Sequence, residues 1–146
     1  MREWLLVSVL TAGATIGASE TQAQTPSDSA AVAEVVMEYV RGWREGDVEA
    51  LADVFEPSEG VLLWTSGGAG ADRLNGMTFQ EILDRGSRPN PSYGLETTIE
   101  HIDVVDAKLA VARVYISREG GSYTDYLVLY KLDVGWRIVT KTFVSR

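Results

Sequence analysis

The feature that most constrains this chain lies close to its C-terminus. Residues 122–144, SYTDYLVLYKLDVGWRIVTKTFV, alternate as two strands do. Tyr126, Val128, Tyr130, Trp136 and Ile138 occupy one set of alternate positions. Asp125, Leu127, Leu129, Val139, Lys141 and Phe143 occupy the other. This period of two, broken at Asp133-Val134-Gly135, predicts an antiparallel hairpin with the two sets on opposite faces. Trp136 and Ile138 are expected on one face with Tyr126 and Val128, and Asp125, Lys141 and Phe143 on the other. With Leu132 paired to Trp136, Asp125 faces Phe143 and lies diagonally beside Lys141, within reach of a long side chain. Inside a cavity, such an Asp could take a proton from a carbon next to a carbonyl, and the Lys could steady the oxyanion. On the surface the same pair would only fix register, contributing about 0–1 kcal/mol.

The strands before this hairpin follow the same pattern. Thr97, Thr98, Ile99, Ile102, Val104 and Val105 are β-formers, Asp106-Ala107 turns the chain, and LAVARVYIS (109–117) is a long strand closed by Glu119-Gly120-Gly121-Ser122. A two-residue loop at Asp106-Ala107 would set His101 opposite Ala112. It would also set Glu100 opposite Arg113, as a partly buried ion pair at the apolar face that fixes register. His101 is expected to face solvent. It lies two strands from Asp125 and about four residues along, roughly 13 Å at strand rise, too far for a His–Asp dyad. Tyr115, Tyr126 and Tyr130 are expected on the outer face of the sheet.

Upstream, the apolar period changes to that of helices. Val32, Val35, Val36, Tyr39, Val40 and Trp43 recur three and four apart, predicting a helix over about 29–45 that ends at Gly46. Asp47 caps a second helix, which Pro57 stops. GVLLWT (60–65) reads as a buried strand, and a short strand is expected around Arg73–Asn75. Thr78 with Glu81 forms a capping box for a third helix. The glycine-rich SGGAGADRLNG (66–76) lacks the Lys and the helix start that a phosphate loop needs, so it reads as a surface loop. Tyr39, Trp43 and Trp64 are candidates to wall a cavity, or else simple core. The layout is α+β: three helices with short early strands, then four long antiparallel strands.

Residues 1–23 have the positive start, apolar run and small residues before Ala23 of a cleaved export signal, followed by a polar, flexible 24–29. The protein is therefore expected to be periplasmic or secreted, with no stable membrane insertion once the signal is removed. The remaining 30–146 form one domain. The 146 residues are 45% hydrophobic and 23% charged, with a formal net charge of −8. That balance suits a globular chain and argues against nucleic acid, which needs clustered basic residues. There are no cysteines and one histidine, which removes thiolate chemistry and any multi-histidine metal site within one subunit. Neither a dinucleotide fingerprint nor a phosphate loop is present. No cofactor and no metal are expected.

Three segments carry a resemblance. YVRGWREGDVEALADVF (39–55), HIDVVDAKLAVARV (101–114) and SYTDYLVLYKLDVGWRIVTKTF (122–143) are similar, in that order, to the nuclear transport factor 2-like superfamily, a ketosteroid-isomerase-like fold. The last segment looks closest to its putative lumazine-binding branch. The resemblance implies a cone-shaped curved antiparallel sheet with three N-terminal helices packed on its concave face. It also implies a funnel for a small organic molecule and a homodimer through the outer sheet face. Ligand-binding candidates are then Tyr39, Trp43, Trp64, Asp125, Lys141 and Phe143. The alternatives are an isomerase, dehydratase or cyclase using Asp125 with Lys141 or Tyr123, and a non-catalytic interaction module.

Overall fold

In a computed structural model of the protein, residues 26–66 and 73–146 are described. The export signal expected over 1–23 and most of the glycine-rich loop lie outside them. Helix α1 runs Pro26–Glu45, with proline near its start, where a missing N–H costs nothing. The flexible segment expected over 24–29 is therefore helical from Pro26 on. Asp28 explains the early start. Its carboxylate favours the positive end of the helix and accepts a hydrogen bond from Lys131 Nζ at 2.7 Å. Val32, Val36, Tyr39 and Val40 then form the buried stripe.

Gly46 ends α1 at φ +69, and a Cβ there would collide with the backbone at Arg88 and Pro89. Helix α2, Val48–Val54, begins at Asp47, whose side chain accepts from the Ala50 N–H at 3.0 Å. Strands β1, Val61–Ser66, and β2, Arg73–Thr78, form an antiparallel pair. Helix α3, Phe79–Arg85, starts with the expected Thr78–Glu81 capping box. Strands β3, Thr97–Val105, β4, Leu109–Arg118, β5, Gly121–Leu132, and β6, Gly135–Ser145, complete the chain.

The six strands make one curved sheet in the order β2-β1-β6-β5-β4-β3. Strand β1 lies parallel to β6, with Leu62 beside Lys141, so the sheet is mixed where long-range alternation predicts only antiparallel pairs. The helices cover one face. Leu127, Leu129, Trp136 and Ile138 from the last hairpin meet Val36, Tyr39, Leu51 and Phe55 in a single core.

Both hairpins depart from expectation near their turns and rejoin it further on. In β5–β6 the turn is two residues long, pairing Leu132 with Gly135 and Lys131 with Trp136. An extra residue on β6 follows: Leu129 pairs with Ile138 and Val128 with Thr140, leaving Val139 unpaired. A bulge of this kind reverses the side-chain phase beyond it. Trp136 and Ile138 therefore share the inner face with Asp125, Leu127, Lys141 and Phe143. Tyr126 and Val128 do not join them; Tyr126 and Tyr130 are about half exposed on the outer face. In β3–β4 the turn has three residues, Asp106-Ala107-Lys108, with Asp106 and Ala107 both at φ 51. His101 consequently faces Arg113 rather than Ala112, and the register returns past a bulge at Glu100. His101 is exposed, as expected. The Arg113–Glu100 pair, 2.8 Å, lies on the exposed outer side and not at the apolar face, because Ala112 and Val114 take the inward positions next to Arg113.

Candidate functional site: a cavity above a buried ion pair

The extra residue at Val139 puts Lys141 on the same inner face as Trp136, Ile138 and Asp125. Beyond it, Asp125 pairs with Phe143 and Leu127 with Lys141, the diagonal arrangement read from the sequence. Lys141 Nζ donates to Asp125 Oδ2 at 2.8 Å, with the Asp side chain fully buried and the Lys side chain 8% exposed. Burying either charge alone would be costly; the pairing offsets this. Helix α1 supplies a second donor: Tyr39, fully buried, donates its hydroxyl proton to the same Oδ2 at 2.7 Å. Tyr39 and Tyr93 hydroxyls lie 2.9 Å apart. Tyr39 has one proton and spends it on Asp125, so Tyr93 donates in that contact. The result is a chain of hydroxyls, Tyr93 to Tyr39 to Asp125, closed by Lys141. Asp125 Oδ1 is buried and makes no hydrogen bond among the described residues.

Burial dominates the titration of Lys141, Tyr39 and Tyr93. It lowers the Lys141 ammonium below its ordinary value, while the Asp125 charge and hydrogen bond oppose the shift. Burial, reinforced by the Asp125 charge, pushes both Tyr39 and Tyr93 well above the ordinary phenol value. The tyrosines are thus held as neutral donors. Lys141 Nζ also sits 4.3 Å from the Phe143 ring centre, near enough for a cation–π contact.

Above this cluster opens a cavity of about 380 Å³. Trp43, Leu62, Tyr123 and Phe143 supply apolar wall. Lys141 and Tyr93 bring polar groups to it, and Ser87, Arg88 and Asn90 supply the side formed by the loop after α3. A second lobe of about 330 Å³ shares Trp43, Leu62, Gly86 and Phe143, and adds Trp64, Met77, Ile82 and Arg85. Trp43 is one helical turn beyond Tyr39, so the two point the same way from α1. Trp43 Nε1 is buried and makes no hydrogen bond among the described residues.

Four of the six expected ligand-binding residues, Trp43, Trp64, Lys141 and Phe143, line the two lobes. Tyr39 and Asp125 do not; they form the layer beneath and hold Lys141 and Tyr93 in position. Tyr93 has no counterpart in the sequence reading, because SRPNPSYG has no period to read. Its position comes from backbone bonds of that loop: Asn90 N–H to the Arg44 carbonyl at 2.9 Å, Tyr93 N–H to Asn90 at 3.0 Å and Gly94 N–H to Ser117 at 2.8 Å. The one available signal was an aromatic residue in a loop pinned by two prolines after a helix.

Comparison with known proteins agrees with this architecture. Residues 27–144 match the model of the family described as putative lumazine-binding. No curated protein matches the sequence. Among solved structures, the chain is similar to an NTF2-like protein of unknown function from Shewanella baltica OS155, at 22% identity and TM-score 0.69, covering 85% of this chain and 98% of that one. It is also similar to an NTF2-like protein of unknown function from Methylobacillus flagellatus KT, at 23% identity and TM-score 0.68, covering 84% and 95%. A third, an NTF-2 like protein of unknown function from Silicibacter pomeroyi DSS-3, shows 21% identity and TM-score 0.65, covering 84% and all of that chain.

Proposed function

Given that the chain belongs to the putative lumazine-binding family and has the NTF2-like fold, we propose that it binds a small planar organic molecule in the cavity above Lys141. The observation that carries this reading is the wall: Trp43, Tyr123 and Phe143 surround about 380 Å³, with Lys141 and the Tyr93 hydroxyl as the buried polar groups. A largely apolar cavity with a few fixed polar groups is how small-molecule sites are built. Aromatic walls favour a flat ring. Lumazine, which the family's description names, is one planar heteroaromatic ring system to try first.

Catalysis with Asp125 as a base is less well supported. Its Oδ2 already accepts from both Tyr39 and Lys141, and the carboxylate lies beneath the wall rather than on it. The same reading includes export through residues 1–23, to be checked by cell fractionation. It also includes pairing of two copies through the outer sheet face. Exposed Tyr126, Tyr130 and Val144 favour that pairing, and sedimentation would test it.

The deciding experiment is titration of the protein with lumazine and a panel of planar heteroaromatic compounds, followed by tryptophan fluorescence and thermal stabilisation. Saturable quenching that is weakened by Trp43→Ala is expected. No stabilisation by any member of the panel, or binding untouched by Trp43→Ala and Phe143→Ala, would refute the cavity as the site.

A further inference from the structure

The charges around the cavity contradict those of the protein as a whole. The sequence carries 21 acidic and 13 basic residues, yet among the described residues no carboxylate lines either lobe. The charged residues that do are Lys141, Arg88 and Arg85. Asp125 lines neither lobe and is held from the cavity side by Lys141, which does line one. Among the described residues, Lys141 spends one of its three protons on Asp125 and makes no other hydrogen bond. Arg85 ends α3 and Arg88 follows in the next loop, and both are exposed.

Resting on the cavity reading above, we infer that the ligand is an anion: a planar, largely apolar molecule bearing a carboxylate, sulfonate or comparable acidic group. The ring lies against Trp43 and Phe143. The acidic group lies toward Lys141 and Arg88, which bring an ammonium and a guanidinium to the cavity wall, and the apolar walls reduce screening. The formal net charge of −8 repels free anions in general, so selection for an anion falls to the cavity. A neutral planar molecule of the same shape gains the apolar contacts but offers the buried Lys141 ammonium no acceptor, a penalty that discriminates strongly in buried sites.

The test uses two fluorescent probes that share one skeleton, 8-anilinonaphthalene-1-sulfonate and the uncharged N-phenyl-1-naphthylamine. Each is titrated into the intact protein at low and high salt. The anion is expected to bind about tenfold or more tighter than the neutral probe, with the margin narrowing as salt rises. Arg88→Gln is expected to reduce anion affinity several-fold and leave neutral-probe affinity unchanged. Arg113→Gln, on the outer face, should change neither. Trp43→Ala should weaken both probes. If both bind equally and both weaken with Trp43→Ala, the cavity stands and the anion preference is wrong. If the anion's advantage survives Arg88→Gln and Lys141→Met together, in variants with the wild-type circular dichroism spectrum, the assignment of these residues is wrong. If neither probe binds, both readings fall.

Discussion

Replacing Asp125 by alanine tests the site at its base. In the folded protein Lys141 and Tyr39 both donate to one carboxylate oxygen, at 2.8 and 2.7 Å, and Asp125 is fully excluded from solvent. Removing the carboxylate leaves an ammonium buried without its partner and a buried hydroxyl without its acceptor. Breaking a buried pair from one side costs about 3–5 kcal/mol. At roughly 4 °C per kcal/mol for a domain of this size, that is a fall in Tm of about 12–20 °C. The protein contains its own control. Arg113–Glu100 is also a 2.8 Å pair, but its side chains are 47% and 37% exposed, so Glu100→Ala should cost only about 0–1 kcal/mol. Urea unfolding followed by tryptophan fluorescence, with equal slopes in the two variants, measures both. Asp125→Leu combined with Lys141→Met should recover most of the loss, because a buried pair can be replaced by apolar residues of similar volume. If Asp125→Ala costs no more than Glu100→Ala, the pair is hydrated and the layered site described above is wrong.

Four further outcomes are expected. Burial lowers the Lys141 ammonium, so between its folded value and the ordinary 10.5 the unfolded chain binds more protons. Stability relative to Lys141→Met should therefore rise with pH across that window, and a relative fall on denaturation at a series of pH values would contradict it. Tyr39 and Tyr93, two of the six tyrosines, are raised above the ordinary phenol value. In an ultraviolet titration they should stay protonated until the fold is lost, whereas reversible ionisation of all six near pH 10 would contradict their burial. At the other end of the helix layer, Thr78→Ala removes the capping box, in which Thr78 Oγ1 accepts from Glu81 N–H at 3.1 Å and Glu81 returns the bond at 2.8 Å. It should cost about 1 kcal/mol by chemical denaturation, and Gly60→Ala should cost more, because a Cβ there would overlap the Phe79 ring and the Glu56 carbonyl.

Local rules made much of this fold legible. The helix spacing from Val32 to Trp43, the Asp47 and Thr78 caps and the strand alternation all act within a few residues, and all are found. The diagonal of Asp125 and Lys141 matches the expectation although the Leu132–Trp136 pairing behind it is absent, because the shorter turn and the extra residue Val139 offset each other in register. What alternation could not reveal is an unpaired residue. Val139 has nothing in its own side chain to mark it as a bulge, yet it moves Trp136 and Ile138 to the same face as Lys141. The bulge at Glu100 likewise moves His101 from Ala112 to Arg113. Turn length departs from expectation at both hairpins: the β3–β4 turn puts Ala107 at positive φ, which alanine rarely adopts, and at β5–β6 Gly135 pairs with Leu132 instead of lying in the turn. The parallel β1–β6 pairing and Tyr93 depend on contacts between segments far apart in the chain. No local period encodes those, and so the layer beneath the cavity was read as its wall.

Lysine-selective NMR of Lys141 reports on the buried pair and the cavity at once. Three lysines are present in the sequence, and Lys141→Met assigns the signal. The expected result is an ammonium that titrates below the ordinary lysine value and shifts when 8-anilinonaphthalene-1-sulfonate fills the cavity. A Lys141 signal that titrates as a free lysine does, and stays unmoved at saturating probe, would contradict both the buried pair and the cavity it supports.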